Sequence, residues 1–320
     1  MEMIKKLKIG NTPTPIFKIN SLSDRYSTNI FIKRDDFSGI EFSGNKVRKL
    51  EYLFGDILSN NYDTVITTGG VQSNHARATA AVAAMFGIKC YLVLNGKEEE
   101  FEGNLFLDRA FGAEIIFSST PEAEMESLKK ELTEKGRKVY IIPMGGSNEL
   151  GSHGYLDEFK EILDYEKDNN IKFSTITLAT GSGGTYAGLY YGNYLLDNGF
   201  KTIYGVSVNN SEEFFKEKIG KILKNIDGDV DVSKISINDN FIGEGYAKFN
   251  EDEMRFYLEI AKETGILLDP CYTGKAFRGF ISMIENNVLN REDNHLFIHT
   301  GGIFGYTKEM RSMMKKIMEE

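Results

Sequence analysis

The chain has 320 residues, of which 41% are hydrophobic and 27% charged, so it is long enough for a globular protein with two domains of ordinary size. Its net charge of -9 argues against non-specific nucleic-acid binding, and no long basic run could follow a phosphate backbone. No apolar run reaches the roughly 18 residues of a membrane span, and residues 1–8 carry lysines without the apolar segment of a secretory signal. We therefore expect a cytoplasmic protein that binds neither nucleic acid nor membrane.

The first half of the chain alternates short strands with helices. A strand at 29–33 precedes a helix that starts near Lys46, for which Ser43 is the predicted N-cap and whose apolar residues Val47, Leu50 and Leu53 can share one face. Further strands are predicted at 64–67, 89–94, 114–117 and 139–142, and helices at 76–86, 101–111 and 123–135. Ser73 or Asn74 could cap the alanine-rich helix. This alternation predicts right-handed βαβ units and a parallel sheet.

The second half repeats the alternation after two glycines at 145 and 146. Strands are predicted at 174–179, 203–208 and 295–299, and helices at 151–168, 186–196, 212–223, 251–264, from 274 to about 286, and at the end of the chain. The polar segment 224–240 is predicted to be a loop. We therefore predict an α/β protein with two open, twisted, mainly parallel sheets flanked by helices. Composition alone does not place a domain boundary, because no Pro/Ser-rich hinge is present.

Lys46 is predicted to lie in the first turn of its helix. The positive end of the helix dipole and the neighbouring Arg48 and Lys49 disfavour a further ammonium there. The pKa of Lys46 should therefore be lowered, as a Schiff-base lysine requires. A solvated lysine in a first turn is the simpler alternative.

Four loops rich in glycine or hydroxyl groups follow predicted strands, at 68–75, 180–185, 269–274 and 300–302. Ligands of open parallel sheets bind beyond the carboxyl ends of the strands, so these loops predict one shared site. In the loop 180–185 several backbone amides and two hydroxyl groups meet a helix N-terminus, which favours an anion. A glycine-rich turn needed only for positive φ is the alternative.

Several other site types lack their signature residues. The sequence has no nucleotide P-loop and no Gly-x-Ser-x-Gly elbow, and Tyr186 stands where a dinucleotide fingerprint needs glycine. His295 and His299 have metal-ligand spacing but lie on a predicted strand, so we interpret them as core residues and predict no metal. Cys90 and Cys271 lie far apart among apolar neighbours, which predicts buried, reduced thiols and a reducing compartment.

Five ordered motifs carry a resemblance to a known family. They are Ser-Gly-Asn-Lys-x-Arg-Lys-Leu-Glu-Tyr from Ser43, Gly-Gly-x-Gln-Ser-Asn-His from Gly69, Thr-Gly-Ser-Gly-Gly-Thr from Thr180, Leu-Leu-Asp-Pro-x-Tyr-x-Gly-Lys from Leu267, and His-x-Gly-Gly from His299. Together they resemble the D-cysteine desulfhydrase and aminocyclopropane-carboxylate deaminase family. The resemblance implies the cofactor pyridoxal 5'-phosphate and a fold type II (tryptophan-synthase-β-like) enzyme. It also implies a large domain of residues 1–48 plus 155–320, a small domain of residues 49–154 inserted in it, and a homodimer.

The resemblance assigns a role to each matching residue. Lys46 resembles the lysine that binds the cofactor covalently, Asn74 the residue that bonds its 3-oxygen, and Ser73 the one that contacts the substrate carboxylate. His75 is placed beside the substrate, and Tyr272 resembles the active-site tyrosine. The remaining cofactor-binding residues implied are Thr180, Gly181, Ser182, Gly183, Gly184, Thr185, Thr273 and Thr300.

Two positions separate the branches of this family. The deaminases carry Glu after the tyrosine and Leu before the last Gly-Gly, whereas this chain has Thr273 and Thr300, as the desulfhydrases do. A carboxylate near the pyridine nitrogen would favour its protonation and deepen the electron sink, whereas a hydroxyl group gives a shallower one. A shallow sink suits loss of a good leaving group such as hydrosulfide.

The predicted reaction is β-elimination of D-cysteine to pyruvate, hydrogen sulfide and ammonia, in which the Lys46 amine or Tyr272 removes the Cα proton. The alternatives are aminocyclopropane-carboxylate deamination, elimination from another β-substituted amino acid such as cysteate or chloroalanine, and a pyridoxal phosphate-binding protein without turnover. Cys271, Phe277 and residues 303–305 depart from what the closest desulfhydrases would have. They leave the enantiomer and the physiological substrate open.

Overall fold

Two sheets organise the computed structural model, which describes residues 5–98 and 100–320. Residues 1–4 and residue 99 lie outside the described residues. Residues 1–4 are the first part of the segment 1–8, which lacks the apolar segment of a secretory signal, and of the predicted large domain. The larger sheet contains β1 (Ile16–Lys18), β2 (Asn29–Arg34), β7 (Phe173–Thr180), β8 (Thr202–Ser207), β9 (Ser236–Asn238) and β10 (Asn294–His299). The smaller sheet contains β3 (Thr64–Gly70), β4 (Lys89–Asn95), β5 (Glu114–Ser118) and β6 (Val139–Ile141).

Helices connect most of these strands and cover both sheets. They are α1 (Asn20–Tyr26), α2 (Lys46–Ser59), α3 (Asn74–Met85), α4 (Gly103–Ala110), α5 (Pro121–Glu134), α6 (Glu149–Asn169), α7 (Gly184–Leu196), α8 (Glu212–Ile226), α9 (Glu251–Thr264), α10 (Thr273–Glu285) and α11 (Lys308–Glu319). No helix of the described residues is long and apolar enough to span a membrane.

Both sheets are mainly parallel, which confirms the predicted fold class. The larger has the strand order β1-β2-β10-β7-β8-β9 and the smaller β5-β4-β3-β6. Only β1 runs antiparallel to its neighbour among the described pairings. The strands of the smaller sheet all come from residues 64–141. The predicted domain limits fall inside α2 and α6, and the division between residues 48 and 49 and between 154 and 155 stays a prediction.

The apolar face of α2 forms as predicted. Val47, Leu50 and Leu53 are fully buried and pack in one core cluster with residues of β3 and β4, such as Val65 and Leu92. This packing of an amphipathic face, more than helix propensity, holds α2 against the smaller sheet.

The helix α2 starts at Lys46 as predicted, but its predicted N-cap was wrong, because Asn45 and not Ser43 precedes Lys46, and no side chain caps the helix. Gly44 has a φ of +98° and lies so close to the Thr300 carbonyl that an added Cβ would come within 2.5 Å of it. Asn45 has helical dihedral angles (φ -62°, ψ -15°) in place of the extended ones of a capping residue, and its side chain is directed to Thr185, whose Oγ1 accepts from Asn45 Nδ2 at 3.0 Å. The turn before Lys46 is therefore shaped by its contact with the last strand-end loop.

A second difference from the predictions concerns a short strand, and two further predictions can be compared with the structure. The predicted loop 224–240 contains β9, in which Ile237 is buried between two half-buried polar residues, so the strand leaves almost no apolar pattern. Ser73 is the N-cap of α3, since its Oγ accepts from the Ala76 amide at 3.2 Å, and Asn74 is the first helical residue. Cys90 is buried as predicted, but Cys271 is only partly buried.

A buried cluster of ionised groups holds the first turn of α2. Arg48 bonds Asp35 at 2.9 Å and Glu161 at 2.7 Å, and the Tyr155 hydroxyl donates to Asp35 at 2.6 Å. Glu158 lies behind them, with its nearest oxygen 3.7 Å from Arg48 Nε and neither oxygen hydrogen-bonded in the described structure. Burial and the negative charge of Asp35 raise the pKa of Glu158 well above its usual range. Against the cost of burial, Arg48 and Lys33 hold the pKa of Asp35 at about 2.

We expect Glu158→Gln to increase stability at neutral and higher pH. Because the pKa of Glu158 is higher in the folded protein than in the unfolded chain, Glu158 takes up a proton on folding. Its contribution to the free energy of unfolding therefore decreases as the pH rises above the pKa that Glu158 has in the unfolded chain. The neutral amide avoids this, and the gain should be roughly 1 kcal/mol or more at pH 8 and near zero at pH 4. Urea unfolding at both pH values measures it. Glu161→Gln, at a carboxylate that bonds Arg48 and Lys33, should instead be destabilised at pH 8. An equal loss of stability at pH 8 in the two variants would contradict the conclusion that Glu158 is neutral.

Candidate active site

A cavity of about 420 Å³ lies between the two sheets, at the carboxyl ends of β3, β7 and β10. All four loops predicted to share a site contribute to its wall. The predicted site residues that line it are Lys46, Ser73, Asn74, His75, Thr180, Gly181, Ser182, Gly183, Thr185, Tyr272 and Thr300. Gly184 and Thr273 lie next to the lining residues but are not part of the wall.

Lys46 is the first residue of α2 and its side chain lines the cavity. Burial and, second, the positive charge of Lys218 lower the pKa of Lys46 to about 8. The pKa of Lys46 is lowered, as predicted, but the causes are burial and the charge of Lys218 in α8, and not the predicted charges of Arg48 and Lys49. Sequence spacing could not reveal Lys218, which is far from Lys46 in the chain. A lysine with this pKa has a substantial neutral fraction near neutral pH, as a nucleophilic amine requires.

We expect uptake of pyridoxal phosphate by cofactor-free protein to depend on this pKa. Only the neutral amine attacks an aldehyde, so the rate should rise with pH up to about 8 and level off above it. At pH 7 about one Lys46 in ten would be neutral, against roughly one in three thousand for an unperturbed lysine. Visible absorbance after mixing measures the rate. Lys218→Met removes a positive charge near Lys46, so the midpoint of the pH dependence of the uptake rate should move to higher pH. An unchanged midpoint would contradict the role of Lys218.

The loop 180–185 forms an anion cradle at the N-terminus of α7. Gly183 has a φ of +89°, which turns the chain into the helix. In the described structure the amides of Ser182, Gly183 and Thr185 donate to no protein acceptor. The Thr185 hydroxyl accepts from Asn45, which leaves its proton available to a ligand. Free amides and a hydroxyl group at a helix N-terminus are what a phosphate group needs.

Lys49 adds a second amine behind this cradle, which the sequence did not predict. Its Nζ donates to the Gly145 carbonyl at 3.2 Å and to Ser147 Oγ at 3.0 Å, and Ser147 Oγ lies 2.8 Å from Ser182 Oγ. Burial and the neighbouring Lys46 lower the pKa of Lys49 well below its usual range. The spacing of Lys46 and Lys49 was visible, but their contact with residues 145–147 depends on the tertiary fold.

His75 is buried at the cavity wall with a defined tautomer. Its Nε2 lies 2.8 Å from Thr67 Oγ1, and the Thr67 hydroxyl donates to the Ile142 carbonyl at 2.9 Å. Since the Thr67 proton is used there, Nε2 must be the protonated nitrogen and Nδ1 the acceptor. Burial and the charges of Lys46 and Lys49 lower the pKa of His75, which keeps it neutral. His75 therefore offers one unpartnered acceptor and no charge.

Tyr272 faces a second tyrosine across the cavity mouth. Its hydroxyl oxygen lies 2.6 Å from that of Tyr246, a residue that sequence reasoning missed. The Asp269 carboxylate accepts from the backbone amides of Cys271, Tyr272 and Thr273 and so fixes this turn. Burial raises the pKa values of both tyrosines. Both hydroxyl groups therefore keep their protons at neutral pH.

The two threonines expected near the cofactor ring are placed differently. Thr300 lines the cavity, and its carbonyl accepts from the Asn45 amide at 3.1 Å. The Thr273 hydroxyl donates to Asp269 Oδ1 at 2.7 Å and accepts from the Asp269 amide at 2.8 Å. With its hydroxyl group occupied in this way, Thr273 has nothing left to offer the cavity. His295 and His299 are buried, as predicted, and bond backbone carbonyls.

Residues 7–301 match the family of pyridoxal-phosphate dependent enzymes. The chain belongs to this family. It is 41% identical over 97% of its length to the whole of a Thermotoga maritima protein provisionally named a 1-aminocyclopropane-1-carboxylate deaminase. It is 38% identical over 96% of its length to 81% of the mitochondrial bifunctional D-cysteine desulfhydrase/1-aminocyclopropane-1-carboxylate deaminase of Arabidopsis thaliana. The crystal structure of an ACC deaminase homologue has a TM-score of 0.89 at 35% identity and covers 98% of this chain and 96% of its own. The predicted family, fold type and cofactor are confirmed.

The residues present in the cavity fit pyridoxal phosphate. The amides of the loop 180–185 and the Thr185 hydroxyl form a cradle for its phosphate group, and Lys46 supplies an amine of lowered pKa for its aldehyde. A side chain on Gly145 would close part of this region, since its Cβ would come within 2.4 Å of Ser182 Oγ. The protein is therefore a pyridoxal phosphate-dependent enzyme whose cavity is built from these loops.

Proposed function

We propose that this enzyme eliminates hydrosulfide from D-cysteine to give pyruvate, hydrogen sulfide and ammonia. The observation that supports this reaction most directly is the chemistry of the cavity wall. Among its lining residues in the described structure there is no Asp or Glu, and the ring would meet neutral groups such as Thr300. A cavity without a carboxylate favours a shallow electron sink and hence a substrate with a good leaving group. The bifunctional Arabidopsis relative carries the desulfhydrase name.

Pyridoxal phosphate held in this cavity would supply an electron sink for Cα of the amino acid, and the protein would supply the proton transfers. Lys46, with its lowered pKa, accepts the Cα proton in its neutral form. Tyr272 and Tyr246 are protonated, so they donate towards the departing sulfur and do not compete with Lys46 as bases. Ser73 Oγ and the amides at the start of α3 bind the substrate carboxylate. Water then releases pyruvate and ammonia, which balances the reaction.

The cofactor contacts complete the proposal. The residues 180–185 would hold the phosphate group, Asn74 would bond the 3-oxygen, and His75, which lines the cavity, would lie beside the substrate. Thr300, which lines the cavity, would face the ring, and Thr273 supports the turn of Tyr272 through Asp269. A cytoplasmic homodimer, with the large and small domains as predicted, is part of this proposal, and sedimentation velocity of the purified protein tests the dimer.

Aminocyclopropane-carboxylate deamination is the second candidate. The Thermotoga relative, at 41% identity, carries that provisional name, and the Arabidopsis relative carries both names. Opening the unactivated ring would need a deeper sink than the neutral cavity wall favours.

Product analysis of the purified holoenzyme separates the candidates. We expect sulfide and pyruvate in equal amounts from D-cysteine, less from L-cysteine, and little 2-oxobutanoate from 1-aminocyclopropane-1-carboxylate. The same concentration of free pyridoxal phosphate is the control for non-enzymatic breakdown. Chloroalanine and cysteate test other leaving groups. Faster formation of 2-oxobutanoate than of sulfide would overturn the proposal in favour of the deaminase. If none of these substrates gave a product, the proposal would be overturned in favour of a protein that binds pyridoxal phosphate without this turnover.

A further inference from the structure

Asn104 of α4 lies behind the cavity wall and contacts a cofactor-binding residue. It is fully buried, and its Nδ2 donates to the Gln72 carbonyl at 2.9 Å and to Asn74 Oδ1 at 3.0 Å. Its Oδ1 accepts from Arg77 Nε at 2.9 Å. Every polar atom of this amide therefore has a partner, although Asn104 does not line the cavity.

The orientation of the Asn104 amide is determined twice. A guanidinium Nε can only donate and a backbone carbonyl can only accept. The oxygen of Asn104 must therefore face Arg77, and its nitrogen must face Gln72. Both Nδ2 hydrogens are then used, one on Gln72 and one on Asn74. An amide flip, which side-chain shape alone would allow, is excluded by these partners.

This determined amide sets the orientation of the next one. The Asn74 oxygen faces Asn104, so its Nδ2 is turned the other way, and in the described structure that nitrogen donates to no protein acceptor. Asn74 lines the cavity. We propose that Asn104, itself oriented by Arg77, is a positioning residue that directs the Asn74 NH2 group into the cavity as a hydrogen-bond donor.

Arg77 connects this relay to the lysine helix. It is fully buried, and its two terminal nitrogens donate to the carbonyls of Glu41 and Ser43, the latter at 2.9 Å, in the turn that leads to Lys46. One guanidinium thus holds the turn before Lys46 and, through Asn104, the donor at Asn74. The relay therefore connects the turn that carries Lys46 with the side chain of Asn74.

Reversing the polarity of the relay tests it. Asn104→Asp keeps the size of the side chain and can still accept from Arg77, but its second oxygen would repel Asn74 Oδ1. The Asn74 amide would then turn its oxygen towards the cavity, where it meets the cofactor's 3-oxygen. We expect the visible absorption of the holoenzyme to shift to shorter wavelength and the dissociation constant of pyridoxal phosphate to rise about tenfold or more.

Asn193→Asp is the matched control. Asn193 is also buried, and its amide donates to the Lys201 carbonyl at 2.7 Å and accepts from the Lys201 amide at 3.1 Å, away from the cavity. It should lose comparable thermal stability and keep the visible spectrum. A wild-type spectrum and an affinity within twofold of wild type in Asn104→Asp would overturn the proposal.

If Asn104→Asp does not fold, Asn104→Ala replaces it as the test. This variant leaves the Asn74 amide free to rotate, so part of the spectral shift should be seen. An unchanged spectrum would again overturn the proposal. In an Asn74→Ala background Asn104→Asp should have less than a twofold further effect on cofactor affinity, because the two act through one donor. This inference rests on one part of the proposed function, namely that Asn74 bonds the 3-oxygen of the cofactor. All spectra are recorded without substrate, so failure to form sulfide would overturn the proposed reaction alone.

Discussion

Lys46→Ala is expected to lower the rate of sulfide release by about 10³-fold or more, because the covalent link to the cofactor and the proposed base are lost together. The cavity otherwise stays intact, since the Lys46 side chain makes no hydrogen bond in the described structure. The free amides of residues 182, 183 and 185 should still hold the phosphate group without a covalent bond. We therefore expect cofactor that dialyses away slowly and absorbs as a free aldehyde. Sulfide assays and visible spectra measure the two effects separately.

Two variants control for the loss of a positive charge in this experiment. Lys46→Arg keeps the charge but cannot form the covalent link, and it should be as inactive as the alanine variant. Lys216→Ala removes an exposed lysine of α8 close to Lys218 and should keep at least half of the activity. Activity in Lys46→Ala near that of wild type would contradict the assignment of Lys46 and with it the proposed chemistry.

Much of the fold could be predicted because its strands and helices have strong local patterns. The face formed by Val47, Leu50 and Leu53 repeats at helical spacing, and the strands β3, β7 and β10 are largely buried and lead into loops rich in glycine or hydroxyl groups. The two strands that were missed have weak patterns. β1 has three residues at a sheet edge, and β9 buries one residue of its three, so both depend on the strands beside them.

The candidate site could be predicted as far as its residues are close in sequence or share a motif. Lys46, Asn74 and the loop 180–185 each belong to a local pattern, and all reach the cavity. The contacts of Lys49 with Ser147 and of Tyr272 with Tyr246 join segments that no periodicity connects. For Thr273 the motif indicated the right turn but not the rotamer, which is determined by the buried Asp269 carboxylate.

Lys46, His75, Tyr246 and Tyr272 line the cavity and differ in ways that assign proton transfers. Burial lowers the pKa of Lys46 and His75 and raises those of Tyr272 and Tyr246, because each group is driven towards its neutral form. A neutral amine is a base, whereas a neutral phenol is an acid. One physical cause, the exclusion of water, therefore produces a base at Lys46 and a donor at Tyr272.

Tyr272→Phe is expected to lower kcat for D-cysteine by about 10²-fold, the usual contribution of one general acid. The ring and its edge contact with Tyr246, at 5.8 Å between centroids, would remain, so stability should change little. Tyr246→Phe removes only the hydrogen-bond partner at 2.6 Å and should have a smaller effect. Initial rates of sulfide and pyruvate release measure both.

The leaving group distinguishes a donor from a base at Tyr272. Chloride leaves without a proton, so elimination from chloroalanine of the same configuration should be almost unaffected by Tyr272→Phe. If Tyr272 instead removed the Cα proton, both substrates would slow equally, because that step is common to them. Since its pKa is raised, wild-type activity should also not fall between pH 8 and 10 through ionisation of Tyr272. If Tyr272→Phe lowered kcat equally for both substrates, the role of the base would be assigned to Tyr272 in place of Lys46, and the description of the cofactor site would not change.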